Sequence, residues 1–164
     1  MPRWWMLGLV LTVIGCGAKS ERQIAEQAPP ADPPEVAEAL SLADQGKIAD
    51  GLNLLNGAIE QSPQVGRLYG ARATLQHRAG LDQRALEDLN RALEFGPDDA
   101  QLLNNRGFVK LSLQDYDAAI ADLERALELN PHMASAKNNR GLVSLAQTKF
   151  QESISWFSEA LAEQ

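Results

Sequence analysis

The chain has 164 residues, enough for one modest domain once its ends are set aside. Hydrophobic residues make up 45% and aromatics only 5%, with alanine and leucine dominant, which suits closely packed helices better than a sheet. A formal charge of −7 excludes a broad nucleic-acid-binding face and disfavours flat contact with anionic lipid head groups.

At the N-terminus, Arg3 precedes an apolar run from Trp4 to Ile14 that ends in Gly15-Cys16. Eleven residues make a helix of about 16 Å, too short for a hydrocarbon core of about 30 Å. A basic start, a short apolar stretch and a small residue before the cut form the pattern of a secretory signal. Val13-Ile14-Gly15-Cys16 resembles the bacterial lipobox, which implies cleavage after residue 15 and acylation of Cys16. Two acyl chains anchor stably, since each buried methylene contributes about 0.8 kcal/mol. Gly17 stands where the resemblance would place an inner-membrane retention aspartate, so the expected location is the outer membrane, facing the periplasm. Cys16 is the only cysteine, which rules out an internal disulfide. His77 and His132 then leave no recognisable zinc site. Residues 16–34 carry Pro29, Pro30, Pro33 and Pro34 and little that can bury a core; they read as an extended tether, with a short helix compatible over 20–27.

From residue 35 the pattern is periodic. Proline recurs at 63, 97 and 131, two steps of 34 residues. With each proline at position 32, the units are 32–65, 66–99, 100–133 and 134–164. Position 8 holds Ala39, Ala73, Gly107 and Gly141; position 20 holds Gly51, Ala85, Ala119 and Ser153. Position 27 holds Ala58, Ala92, Ala126 and Ala160, and position 24 holds Leu55, Leu89, Leu123 and Phe157. This arrangement resembles the tetratricopeptide repeat family, which implies an all-α solenoid of about four helix–turn–helix repeats. Small residues at 8, 20 and 27 let antiparallel helices approach closely, and proline at 32 ends the second helix. Gly46 and Gly80 at position 15 suit a left-handed helix end, whereas Gln114 and Thr148 take that place in units three and four. Gly51 and Gly57 inside a helix are each expected to cost about 1 kcal/mol relative to alanine. Arg72 and Arg106 stand sixteen residues before Asp88 and Asp122, an arrangement that predicts an ion pair across each hairpin, while Trp156 occupies the matching place in unit four.

The resemblance implies that the first helix of each unit lines a concave groove. The residues it places there are Arg67, Thr74 and Arg78 from unit two, with His77 between them. Unit three gives Gln101, Asn104, Asn105 and Phe108, and unit four gives Asn138, Asn139 and Leu142. The asparagines are expected to hydrogen-bond an extended peptide, and Arg67 and Arg78 to meet a carboxylate. Gly70 and Ser135 fall where chaperone-binding members carry clamp lysines, which argues against that ligand. A second expected surface is the last helix, where Ile154, Trp156 and Leu161 have no following repeat and suit homodimerisation or partner docking; Phe157 is expected to face inward.

No nucleophile–histidine–carboxylate motif and no phosphate-binding loop is present, and Asp98, Asp99, Asp115 and Asp117 fall at helix starts, where negative charge is favoured anyway. The expectation is therefore not an enzyme but a scaffold of the bacterial cell envelope, without cofactor or metal. It would be tethered by lipid and bind a protein or peptide partner. The alternative is a structural subunit or assembly factor, of the pilus-assembly type, docked through the C-terminal helix.

Overall fold

The computed structural model describes residues 32–163 apart from Pro97. The signal segment, the lipobox with Cys16, and the tether up to Ala31 lie outside the described residues. Within them the chain forms eight helices and no strand. These are α1 (Pro34–Asp44), α2 (Ile48–Gln61), α3 (Gly66–Arg78), α4 (Asp82–Glu94), α5 (Ala100–Ser112), α6 (Tyr116–Leu129), α7 (Ala134–Ala146) and α8 (Phe150–Ala162).

Each odd-numbered helix packs against the even-numbered helix that follows it, giving four hairpins. The first helices α1, α3, α5 and α7 also touch one another in series, whereas the second helices do not. One layer is thus closed and the other splayed, so the stack curves with the first helices on its inner side.

The small residues explain the closeness of each hairpin. A Cβ on Gly107 would lie 2.8 Å from Leu123 Cγ, and one on Gly141 would lie 2.5 Å from the Phe157 ring. Phe157 therefore does face inward. Ala39, Ala85, Ala119 and Ala126 are fully buried, as are Leu55 and Leu123. The two glycines of α2 differ in kind. A Cβ on Gly51 would meet the Ala39 carbonyl oxygen at 2.8 Å, while one on Gly57 would meet nothing within 4 Å. Gly51 is required by contact, and only Gly57 is the plain helix-weakening residue expected of both.

Four tight turns close the hairpins with a residue in the left-handed region: Gly46 (φ 80°), Gly80 (75°), Gln114 (62°) and Thr148 (61°). Glycine takes this conformation freely; a β-branched threonine does so at a cost. Asp99 and Asp115 cap α5 and α6, their carboxylates accepting from the backbone N–H groups of Gln101 and Ala118. Those acids satisfy helix ends, as their positions suggested.

Candidate functional site

On the inner face the first helices bring together Thr74, His77 and Arg78 from α3 with Asn105 and Phe108 from α5. Ala73, Leu89 and Val109 floor the space between them, a depression of about 180 Å³. Its wall is ordered. The His77 ring meets Phe108 edge-on at 5.0 Å between centroids, and His77 Nδ1 lies 2.5 Å from Asp82 Oδ1. Arg78 donates to Asp44 Oδ1 at 2.8 Å and to the Ala43 carbonyl at 2.9 Å, which holds its guanidinium at the rim. Gln101 donates to Asn105 Oδ1 at 2.8 Å, and the Thr74 hydroxyl donates back to the Gly70 carbonyl. The floor residues escaped the sequence reading because Ala73 and Leu89 read simply as hairpin core.

The asparagine ladder divides. Asn104 is 4% exposed and Asn139 9%. The Asn139 amide donates to Asn104 Oδ1 at 2.9 Å, so these two side chains join α5 to α7. They are buried structural groups, not open groove wall, because the stacked first helices bring position 5 of unit three against position 6 of unit four. Asn105, Asn138 and Gln101 remain accessible, and Leu142 is half-buried. Arg67 pairs with Asp32, whose hydrogen bond and charge raise the arginine's pKa above its ordinary value.

The opposite side of the hairpins carries the arginine seam. Arg72 grips Asp88 through two bonds of 2.7 and 2.8 Å, and Arg106 grips Asp122 at 2.8 and 2.7 Å. Both carboxylates are buried. The Asp88 hydrogen bond raises the Arg72 pKa against the opposing effect of burial. Bidentate geometry of this kind is the strong form of ion pair. Lys110 Nζ adds a second cation to Asp122 at 2.7 Å. In the last hairpin Arg140 lies over the Trp156 ring, 5.4 Å from its centroid. Trp156 is thereby half-buried and held, which removes it from the free apolar surface expected of α8. Ile154 and Leu161 stay open, at 58% and 69% exposure. Beside Leu161, a depression of about 480 Å³ is lined by Ser135, Asn138, Phe157 and Ala160.

Two family profiles, each described as tetratricopeptide repeat, match residues 36–100 and 72–144. Comparison with curated proteins gives no match. Many solved structures share the fold. The crystal structure of MamA is 20% identical over 79% of this chain and 75% of its own, with a TM-score of 0.68. PilF of Pseudomonas aeruginosa is 24% identical over 79% of this chain and 60% of its own, with a TM-score of 0.72. The first repeat domain of Spaghetti (RPAP3), bound to the HSP90 peptide SRMEEVD, is 24% identical over 70% of this chain and 93% of its own, with a TM-score of 0.65.

Proposed function

The chain belongs to the tetratricopeptide repeat family, and from that premise we propose that it is an interaction scaffold of the bacterial cell envelope, held by lipid on Cys16. A segment of a protein partner lies along the inner face. The observation that carries this reading is the depression between α3 and α5, where an apolar floor is rimmed by Asn105, Thr74 and Arg78. An apolar side chain fills such a floor, while amide and guanidinium groups fix the backbone and a carboxylate. That a similar fold is solved with a bound peptide supports the reading. The proline-rich segment before α1, read from the sequence as a tether, gives the domain reach from the membrane.

The exposed Ile154 and Leu161 favour a second reading, a structural subunit docked through α8. One experiment separates the two. A photocrosslinking residue is placed at Asn105 or at Ile154 in the native cells, and captured proteins are identified. Capture from Asn105 that disappears with Phe108→Ala supports the groove. Capture only from Ile154, at fixed stoichiometry, supports the subunit. Cys16→Ser releases the protein from the membrane fraction if the lipid anchor is correct; retention in the membrane refutes it.

A further inference from the structure

Because the second helices do not touch one another, each joint between hairpins leaves a wedge on the outer side. The first helix of the following hairpin floors it. At the joint of the second and third hairpins, Lys110 fills the floor and reaches Asp122 at 2.7 Å. At the joint of the third and fourth, Ser144 holds that place and bonds to the Arg140 carbonyl at 3.2 Å, beside the Trp156 ring. At the joint of the first and second, the same position is Gln76. Gln76 is only 9% exposed, and its Oε1 has no hydrogen-bond partner. Here the wedge stays open as a cleft of about 330 Å³ between α2 and α4.

The charge in this cleft is unusual for the chain. Arg84 and Arg91 line it and make no ion pair among the described residues, and Arg72 beneath them is already committed to Asp88. Three guanidiniums face the carboxylates of Glu87 and Asp88, a local positive surplus on a chain of charge −7. From Leu81 to Arg91 the wall runs about 15 Å, at 1.5 Å per helical residue. That is the length of four or five residues of extended chain at about 3.3 Å each.

We propose that this cleft binds an acidic peptide in extended conformation, independently of the inner groove. Its carboxylates meet Arg84 and Arg91, and one of its peptide units pairs with the Gln76 carboxamide. A simple anion satisfies the guanidiniums but brings no N–H donor for Gln76 Oε1. A peptide unit brings a donor and an acceptor together, which matches a carboxamide that can turn either way.

The test uses the full chain labelled with ¹⁵N and the acetylated, amidated tetrapeptide Glu-Ser-Glu-Ser, with Gln-Ser-Gln-Ser and sodium phosphate as controls. The expected result is saturable shifts of the Gln76 side-chain amide and the Arg84 and Arg91 Nε signals, at least tenfold weaker with the neutral peptide. Gln76→Lys should abolish the Arg84 and Arg91 shifts by sending an amine to Asp88, as Lys110 does to Asp122. Arg84→Gln with Arg91→Gln, both on the surface, should weaken binding at least tenfold in a folded protein. Phe108→Ala should leave it unchanged, which keeps this site distinct from the groove. A silent Gln76 amide, equal binding of the neutral peptide, or arginine shifts that phosphate reproduces would each overturn the proposal.

Discussion

The third and fourth hairpins place different residues in one slot. In the third, Arg106 and Lys110 converge on a buried carboxylate, Asp122. In the fourth, Arg140 lies over Trp156 and reaches the more exposed Glu124 and Glu152 at 3.4 and 3.3 Å. The first arrangement concentrates two cations on one anion inside the protein; the second spreads one cation over a ring and two solvated acids. Burial resists ionisation of Glu152, yet bonds from Ser144 and Trp156 and the Arg140 charge hold its pKa below the usual glutamate range. A repeat can therefore keep its arginine while changing what neutralises it, but the consequences of removing the partner differ.

The sharpest break is Asp122→Lys. It leaves three cations together in a site only 7% exposed at the carboxylate, and removing one partner of a buried pair costs about 3–5 kcal/mol. Thermal unfolding should show a large drop in midpoint; an unchanged midpoint would refute the seam. In the last hairpin, Trp156→Ala should destabilise by about 1–2 kcal/mol, the scale of a partly desolvated cation–π contact. Trp156→Asp should recover part of that loss if the slot truly accepts either chemistry, as paired denaturant titrations would reveal.

Turn and helix glycines extend the contrast to smaller effects. Thr148→Gly should stabilise the fourth hairpin by about 1 kcal/mol, because the left-handed backbone there strains a β-branched residue. Gly57→Ala should raise stability by up to about 1 kcal/mol, whereas Gly51→Ala should lower it, since its Cβ meets the α1 backbone. Equal responses of the two would dispute the packing of α1 on α2.

The smallest effect is one of pH. Bonds from Lys137 and then His132 hold the Glu163 pKa below its usual range against burial. A depressed carboxylate pKa contributes stability that is present above the unfolded value, about 4.3, and is lost as pH falls through the folded one. Lys137→Gln should therefore flatten the acid limb of the stability curve below roughly pH 4.3 and leave its neutral part almost unmoved.

Much of this was legible in the chain itself. The 34-residue spacing and the small residues at 8, 20 and 27 suffice for hairpins and their series, and the sixteen-residue offset finds both Arg–Asp pairs. The inner face was legible only in outline. Asn104 and Asn105 are adjacent and chemically identical, yet one is buried against Asn139 and the other lines the groove. Trp156 read as free surface until Arg140 covered it. Gln76 gave no signal at all, because its meaning lies in what Lys110 does one repeat later.

Sequence alone determined the repeat, its helices and the residues permitted at each close contact, since these follow from local propensity and from side-chain volume at fixed spacing. Tertiary structure alone decided which polar groups are buried, which joints stay open and which charges lack a partner. Those outcomes depend on how far apart the second helices splay, a distance set by whole side chains meeting across repeats and not by any local pattern.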